Sequence, residues 1–432
     1  MAERAIGASA VAKGESVSVR ISTGMGAEIS WQLRSMTPAV LHGEIRGWSY
    51  FDGPSGTQMI SPAIEAFVGF SRSGLSNRHG YSPAGDETEA VVSSARAQLR
   101  SLLHAEGYHV VFGQNMTSLA FSLGHALARQ RGRDGVQVVV TELEHRANID
   151  PWVQPFSDRG ARVHWLHVDP ESLTLQREDI ERADSEEGVA VVAATAAANA
   201  VGAVPDLAPL RDLAAAHGAV FVVDGVHAVP HAPPDVSELG ADIFLCSAYK
   251  FYGPHVGVAL VRESLLDELP AYKVVPAPSG GAEKLETGSQ NHEGIASLAA
   301  TIAGLGWLVG SSGGEGAREA LHALGHREKE LVDLLVEELR SMPNVRVFGH
   351  DGKSGAFVAT VAFTVIGRSP CEAAGALRQD GVFVTAGDFY ATALAARLGV
   401  DRTGGFIRAG LAGYTSEEDV RHLVDSVKKL AR

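Results

Sequence analysis

The stretch FLCSAYKFYGP, from Phe244 to Pro254, places one lysine among small and aromatic side chains directly after an apolar run. A lysine that is partly buried loses rotamer freedom and hydration, so such a position disfavours it unless a partner or a reaction compensates. A lysine at the end of a strand can also extend its amine to water, and taken alone this explanation suffices. Lys250 is therefore a candidate reactive group only if other residues supply the rest of a site.

Three other strand-like runs are also followed by residues that could do chemistry. GQNMTSLAFSL follows VVF, and its Thr117 falls at a predicted helix start, where free N–H groups and the helix dipole favour an anion such as phosphate. TELEHRANIDPW presents His145 after VVV, while Asp224 ends AVFVVD and His227 follows three residues later. Taken singly, each has an ordinary explanation as a helix cap or a hydrogen-bonded structural residue.

The elements around these residues predict where they lie. Short β-rich runs alternate with helical patterns such as 116–129 and 206–217, which is typical of a mostly parallel sheet covered by helices. In such a sheet ligands bind at the carboxyl ends of the strands. We therefore expect an α/β fold that brings the four groups to one edge. The β-rich runs are 108–112, 136–140, 162–168, 189–195, 219–224, 242–247 and 256–261.

Pyridoxal 5'-phosphate requires the combination of groups that this edge would present. Its phosphate suits a helix N-terminus, its ring nitrogen a carboxylate that keeps it protonated, and its aldehyde a lysine that forms a Schiff base. A histidine can stack on the ring. The conjunction of these groups, more than any one of them, predicts a pyridoxal phosphate site with Lys250 as the anchoring residue.

The pattern changes near Glu293, where long amphipathic helices replace the alternation. EALHALGHREKELVDLLVEELRSM is the clearest helix, and strands around 345–348 and 357–364 and a final helix from Ser416 follow it. The predicted organisation is an N-terminal arm, a large cofactor-binding domain and a smaller α+β domain, at residues 1–30, 31–292 and 293–432.

Composition argues against several classes of function. The chain has 432 residues, a net charge of −14 at pH 7 and no basic cluster, so neither nucleic acid nor an anionic membrane is an expected partner. Cys246 and Cys371 follow no paired metal-ligand spacing and are too few for a disulfide framework. Residues 1–25 lack a continuous apolar segment, and no stretch has the length of a membrane span. We expect a cytoplasmic protein without a metal site.

In their order and spacing the motifs resemble those of the class V, fold type I pyridoxal phosphate enzymes, and within them the cysteine desulfurase-like branch. The resemblance runs from about Tyr50 to the C-terminus and implies a fold type I large domain followed by a smaller one. The segments that carry it are YFDGPSGTQ, FGQNMTS, ELEHRANIDPW, NAVG, VDGVH, SAYKFYGPHVG, ETGSQNHEGI and FIRAGLAGYTSEEDV.

The resemblance implies a role for each matched residue. Lys250 would hold the cofactor, His145 would stack on its ring, and Asp224 would pair with its ring nitrogen. His227 and Asn199 would lie beside its phenolic oxygen. The implied phosphate contacts are Met116, Thr117, Ser247 and Tyr249, together with Gly288 and Ser289, which would reach the phosphate of the partner subunit in a homodimer with shared sites. The implied contacts to an amino-acid substrate are Arg408, Asn199 and His79, with Arg408 on the α-carboxylate.

The sequence departs from the cysteine desulfurase pattern at one functional position. GVFVTAGDFYATA matches the loop that carries the nucleophilic cysteine in those enzymes, but the position of the cysteine falls on Tyr390. Cys371 lies at a predicted helix start and Cys246 in a predicted core strand, so neither is placed to carry a persulfide. Sulfur transfer through an enzyme persulfide is not expected, and Tyr390 becomes a candidate to orient the substrate or pass a proton.

Several reactions remain open to an α-amino acid bound to the cofactor, because the bond held perpendicular to the ring decides which one breaks. The first expectation is β-elimination from a cysteine S-conjugate, a C–S lyase activity, since relatives without the loop cysteine include such lyases. Decarboxylation-coupled oxidative deamination in secondary metabolism and class V aminotransfer are the alternatives. A cofactor-free scaffold protein would be expected to lack Lys250 or Asp224.

Overall fold

The computed structural model describes residues 23–74, 76–78, 81–186, 188–350 and 356–432. Its helices are α1 (Thr23–Ser35), α2 (Pro38–His42), α3 (Ser61–Ser73), α4 (Pro83–Leu103), α5 (Met116–Arg131), α6 (Asp150–Ser157), α7 (Arg177–Ser185), α8 (Ala208–His217), α9 (Val236–Leu239), α10 (Glu263–Glu268), α11 (His292–Trp307), α12 (Gly313–Arg340), α13 (Pro370–Gln379), α14 (Thr392–Arg397) and α15 (Glu417–Leu430). Its strands are β1 (Ser49–Tyr50), β2 (Tyr108–Gly113), β3 (Gln137–Thr141), β4 (Arg162–Leu166), β5 (Val189–Thr195), β6 (Ala203–Val204), β7 (Val220–Asp224), β8 (Ile243–Ser247), β9 (Gly257–Arg262), β10 (Val345–Phe348), β11 (Ala356–Phe357), β12 (Thr360–Val365), β13 (Val382–Phe383), β14 (Thr385–Gly387) and β15 (Phe406–Gly410).

The largest sheet in the described ranges has seven strands in the order β2-β9-β8-β7-β5-β3-β4. Strands β3, β4, β5, β7 and β8 are parallel, and β9 pairs antiparallel with both β8 and β2. The predicted α/β, fold type I architecture with a mostly parallel sheet is confirmed.

Helices cover both faces of this sheet. Side chains of β7 alternate between two apolar cores, with Val220 and Val222 in one and Phe221 and Val223 in the other. Because both faces are buried, the central strands are continuous apolar runs instead of alternating ones.

A second sheet lies in the C-terminal part of the chain. Its described strands run antiparallel in the order β10-β12-β15-β14. They share a core with the apolar face of α15 and the second half of α12. The first half of α12 and α11 belong to the core of the large sheet, so the two cores meet inside α12. The domain limits of 31–292 and 293–432 stay a prediction.

The predicted strand at 357–364 is divided in the structure. β11 pairs with β6 beside the large sheet, whereas β12 belongs to the C-terminal sheet. A tight hydrogen bond from Thr360 N to Val358 O turns the chain between the two strands. Phe357 and Val358 before the break and Thr360 and Val361 after it are β-forming residues, so the sequence pattern does not indicate the break.

The segment before the large sheet also contributes to the C-terminal layer. β1 pairs in parallel with β13, and Asp52 forms an isolated bridge with Gly410. This pairing brings Asp52 next to β15. Among the described residues, no helix combines the length and apolar character needed to cross a membrane.

Candidate active site

The carboxyl ends of the parallel strands meet at a cavity of about 300 Å³, the place at which an open α/β sheet binds its ligand. The N-terminus of α5, the Phe389–Tyr390 pair and Arg408 of β15 complete its walls. The structure brings most of the predicted site residues to this cavity, namely Lys250, His145, Tyr390, Asp224, His227, Asn199, Met116, Thr117, Ser247, Tyr249 and Arg408.

Lys250 lies in the short 3₁₀ turn Ala248–Lys250 that directly follows β8. Its Nζ donates a hydrogen bond to the Pro54 carbonyl and lies 4.8 Å from the ring centroid of Tyr249. Burial, assisted by the positive charge of Arg408, lowers the pKa of the Lys250 amine to about 8. About a tenth of the amine is therefore neutral at pH 7, far more than for a lysine with the ordinary pKa, and this neutral form is the nucleophile.

Asp224 is the last residue of β7 and is buried. Its Oδ1 accepts a hydrogen bond of 2.9 Å from Val226 N. Burial raises the pKa of this carboxyl to about 6, although the Val226 hydrogen bond and the Lys250 charge oppose the rise. Asp224 is thus mainly ionised at neutral pH and can pair with a cationic ring nitrogen.

His145 begins the 3₁₀ turn Arg146–Asn148 after β3. Its Nδ1 accepts a hydrogen bond of 3.0 Å from Ala147 N, so the neutral ring carries its proton on Nε2. Burial, with the charges of Lys250 and Arg408, lowers the pKa of His145 to about 4. The imidazole is therefore neutral at physiological pH and presents an uncharged ring to the cavity.

The buried carboxyl of Glu144 holds the His145 turn in place through hydrogen bonds. Glu144 Oε1 accepts hydrogen bonds from Thr141 Oγ1 at 2.7 Å and from Thr195 N at 2.8 Å, and Oε2 accepts from Asn148 Nδ2 at 2.6 Å. Burial raises the pKa of Glu144 to about 8. Glu144 was not predicted from the sequence as a site residue, although it directly precedes His145.

Met116 and Thr117 are the first two residues of α5. Asn115 caps this helix, and Met116 N donates a hydrogen bond of 3.1 Å to Ser247 Oγ at the end of β8. A Cβ at Gly257 would lie 2.2 Å from the carbonyl carbon of Asn115, so glycine at the start of β9 allows the loop to approach the sheet. The helix N-terminus is thereby held at the cavity, where it favours an anion.

Arg408 lies on β15 and is 2% exposed. Its Nη2 donates to Asp52 Oδ1 at 3.2 Å and to Ser55 Oγ at 2.7 Å, and its Nη1 donates to Asn199 O at 3.2 Å. Burial lowers the pKa of Arg408 to about 10, which leaves it cationic. Its Nε is buried without a hydrogen-bond partner among the described residues and remains for a bound group.

The Phe389 ring covers one face of this guanidinium, with its centroid 3.9 Å from Arg408 Cζ. The face is thus blocked, and a ligand must approach Arg408 in the plane of its N–H donors. Asp52, Ser55 and Phe389 were not singled out from the sequence. Asp52 and Ser55 do lie within the matched segment YFDGPSGTQ, and Phe389 directly precedes Tyr390, so the signal available was their proximity to matched positions.

Phe389 and Tyr390 both have left-handed backbone conformations, with φ of 56° and 59°. Such values are unfavourable for aromatic residues and persist where surrounding contacts hold them. Asn199 Nδ2 donates to Phe389 O and Arg146 N donates to Tyr390 O, each at 2.9 Å. The Tyr390 ring is 68% exposed, with its centroid 5.2 Å from that of His145.

Three predicted site residues are not among those lining this cavity. Ser289 lies in a separate groove with Gln114 and His255, and Gly288 precedes it with φ of 75°. The predicted contact of Gly288 and Ser289 with a partner's phosphate stays a prediction. His79 lies outside the described residues.

The groups around the cavity fit pyridoxal phosphate. A helix N-terminus, an ionised carboxylate, a neutral imidazole and a partly neutral lysine surround one space. Asn199 Oδ1 is buried without a hydrogen-bond partner among the described residues, so a polar atom is left for a bound molecule. Lys250, Asp224, His145 and Thr117 would hold the aldehyde, the ring nitrogen, the ring face and the phosphate, respectively.

Comparisons with solved structures agree with this architecture. The cysteine desulfurase CsdA from Escherichia coli has a TM-score of 0.79 at 25% identity, over 93% of this chain and 98% of that one. The apo cysteine desulfurase from Thermococcus onnurineus NA1 has a TM-score of 0.81 at 24% identity, over 93% of this chain and 97% of that one. The similarity to the Thermococcus enzyme shows that the two chains share a fold.

Relatives by sequence include a probable cysteine desulfurase 1 of Mycobacterium leprae, 28% identical over 88% of this chain. The alignment spans only 62% of that relative's length. Uncharacterized protein MT3887 of Mycobacterium tuberculosis is 30% identical over 89% of this chain and 96% of its own. The family model described as Aminotransferase class-V matches residues 49–423. The chain therefore belongs to the class V aminotransferase family and is a pyridoxal phosphate-dependent enzyme.

Proposed function

We propose that this enzyme is a C–S lyase that removes the sulfur substituent from the β-carbon of a cysteine S-conjugate or a similar β-substituted α-amino acid. The observation that carries the proposal is Tyr390 at the position of the desulfurase nucleophile, together with the absence of both cysteines from the cavity lining. Cys246 is buried in β8, where burial raises the pKa of its thiol, and Cys371 is exposed in the first turn of α13. Neither can receive sulfur from a substrate in the cavity.

Pyridoxal phosphate, when held by these residues, would supply electron withdrawal from the α-carbon of the substrate, the chemistry that permits a β-substituent to leave. Asp224, as a carboxylate, keeps the ring nitrogen protonated and so maintains this withdrawal. Lys250 Nζ, with its lowered pKa, takes the α-proton of the substrate. His145 is neutral, so it contacts the ring without adding charge.

Substrate recognition is assigned to the donors around Arg408. A substrate α-carboxylate would accept hydrogen bonds in the guanidinium plane, since Phe389 covers one face. Asp52 already pairs with Arg408, which fixes the orientation of the guanidinium. The exposed Tyr390 ring at the mouth of the cavity would then contact the β-substituent or pass a proton to the leaving sulfur.

Product analysis distinguishes this function from its alternatives. The purified enzyme is incubated with a panel of S-substituted cysteines, and we expect pyruvate, ammonia and the free thiol in equal amounts. An aldehyde with carbon dioxide would instead indicate decarboxylating deamination, and a keto acid that retains the sulfur substituent would indicate aminotransfer. Alanine with enzyme-bound sulfur would contradict the proposal and restore a desulfurase mechanism.

The proposal also includes the assembly and location of the enzyme. We infer a cytoplasmic homodimer in which Gly288 and Ser289 of each subunit complete the phosphate site of the other. The position of Ser289 in a groove next to the α5 N-terminal loop, outside its own cavity, supports this arrangement. A role in secondary metabolism rests on the resemblance to conjugate-processing relatives.

A further inference from the structure

A row of buried polar side chains leads from the wall of the cavity into the body of the protein. His227 lines the cavity, and its ring centroid lies 5.1 Å from that of His231, with the planes at 79°. His231 Nδ1 lies 2.6 Å from Glu328 Oε2. All three residues are buried. The proposed reaction gives no role to His231 or Glu328.

His227 is held by contacts from two different parts of the chain. Its Nε2 lies 2.9 Å from Thr360 Oγ1, on the first residue of β12. The His227 ring also makes an edge-to-face contact with the ring of His231, which is hydrogen-bonded to Glu328 in α12. Because Thr360 and Glu328 both belong to C-terminal elements, the ring at the cavity wall is positioned from outside the large sheet.

The approach of α12 to His231 depends on a glycine. A Cβ at Gly325 would lie 1.8 Å from the His231 carbonyl oxygen, so any side chain there would separate the helix from the histidine segment. Glu328 lies three residues after Gly325, which places it on the same face of the helix. The contact of α12 with His231 therefore lies between Leu324, which packs in the core of the large sheet, and Leu331, which packs in the C-terminal core.

Glu328 is an energetically unfavourable residue at this buried position. Its Oε1 has no hydrogen-bond partner among the described residues, and burial raises the pKa of its carboxyl against the opposing effect of His231. Tyr252 and Tyr414 also face it and contribute no positive charge. A buried polar atom without a hydrogen-bond partner lowers the stability of the fold. Replacing a buried polar pair with apolar side chains of similar volume commonly leaves stability unchanged or raises it. Stability alone therefore does not account for Glu328.

We propose that Glu328 and His231 are positioning residues for the cofactor, which act by fixing the orientation of His227 at the cavity wall. The inference rests on the proposed pyridoxal phosphate-dependent function and on the predicted place of His227 beside the phenolic oxygen of that cofactor. The hydrogen bond between Glu328 Oε2 and His231 Nδ1 sets the plane of the His231 ring, and that ring limits the rotation of His227. Thr360 supplies the second contact.

The test measures how fast the full-length holoenzyme releases its cofactor, followed by the loss of visible absorbance after dilution. Glu328→Leu removes the hydrogen bond to His231, and we expect release to be about tenfold faster, the size of one lost hydrogen bond. Glu328→Gln keeps an acceptor at the same place and should release at nearly the normal rate. Leu331→Ala, also buried in α12 but directed at the C-terminal core, is the control for general destabilisation.

Measuring the effect of Glu328→Leu in a second variant, His227→Ala, distinguishes a positioning role of Glu328 from a purely structural one. In the His227→Ala enzyme, which itself should lose cofactor faster, Glu328→Leu should produce no further change, because its effect passes through His227. An equal acceleration in both backgrounds, or a normal rate for Glu328→Leu, would overturn the inference. If Glu328→Leu does not fold, His231→Gln is measured instead, since it keeps a donor for Glu328 and loses the ring contact.

Failure of the underlying assignment gives a different result. A wild-type protein that binds no pyridoxal phosphate, or a His227→Ala enzyme that retains it normally, would overturn the assignment of His227 and the inference with it. Normal release by Glu328→Leu beside fast release by His227→Ala would overturn only the role of Glu328 and His231.

Discussion

At the scale of single residues, burial sets the charge of the groups that face the cavity. Lys250 and His145 are shifted toward their neutral forms, whereas Asp224 and Arg408 keep their charges at neutral pH in spite of burial. A lysine that is partly neutral thus lies between one anion and one cation. This is the distribution that cofactor attachment and carboxylate binding both require.

The lysine assignment is tested by covalent trapping. We expect borohydride to fix pyridoxal phosphate to the peptide that contains Lys250 and to no other. The rate of attachment to the cofactor-free protein should rise with pH and level off above about 8, because the amine is mainly protonated below its pKa. Label on another lysine, or a rate that falls as the pH rises toward 8, would contradict the assignment.

The cysteines are tested by their replacement. The enzyme with Cys246→Ala and Cys371→Ser should keep most of its turnover, since neither thiol lines the cavity. Lys250→Ala should abolish turnover, and Arg408→Ala should mainly raise KM. Tyr390→Phe should lower kcat more than it changes KM if the hydroxyl passes a proton. Loss of catalysis in Cys371→Ser alone, with folding and cofactor intact, would require a persulfide mechanism.

At the scale of elements, the start of α5 is held in place by the end of a neighbouring strand. Ser247 is the last residue of β8, and its Oγ accepts a hydrogen bond from Met116 N. The phosphate end of the cavity is therefore linked directly to the strand that leads into the lysine turn. The close approach of the α5 loop to Gly257 adds a packing constraint from β9. The geometry of the site therefore depends on sheet contacts as much as on the helix.

Ser247→Ala should weaken phosphate binding selectively. Loss of one hydrogen bond predicts a roughly five- to tenfold lower affinity for pyridoxal phosphate, with little change for pyridoxal, which lacks the phosphate. Fluorescence titration of the cofactor-free protein measures both. Ser118→Ala, which removes the side-chain hydrogen bonds of Ser118 to Asn115 in the capping box of the same helix, is the matched control. Equal losses for both ligands would show that the serine does not act through the phosphate.

At the scale of the whole molecule, the two cores are joined by α12 and by the pairing of β1 with β13. Arg408 on β15 reaches Asp52 near the start of the described chain. The cavity is thus built where the C-terminal layer meets the large sheet. A substrate carboxylate at Arg408 would contact both parts of the chain.

Shared sites in a homodimer are tested by complementation between inactive variants. Lys250→Ala and Ser289→Asp subunits are each expected to be inactive, the second because its carboxylate repels the partner's phosphate. When they are mixed and allowed to exchange, half of the dimers are hybrids with one intact site, so about a quarter of normal activity should return. Subunit exchange without recovered activity would place Ser289 outside the partner's site.

The sequence by itself determined the large sheet and the principal groups of the site. Continuous apolar runs mark strands buried on both faces, and the carboxyl ends of parallel strands must meet at one edge. Because Lys250, Asp224, His145 and Thr117 each follow or end a predicted strand, their meeting at one edge of the sheet could be predicted from this arrangement. The departure at Tyr390 also came from the sequence, since it concerns residue identity at a matched position.

Only the tertiary structure decided how these groups are held and charged. Arg408 and Asp52 are separated by 356 positions, and the contact of Phe389 with the guanidinium depends on a backbone conformation that sequence patterns do not encode. The pKa changes arise from desolvation in the folded state. The division of the 357–364 strand and the contact of Glu328 with His231 likewise depend on which distant segments pack together, because local patterns specify elements but not their partners.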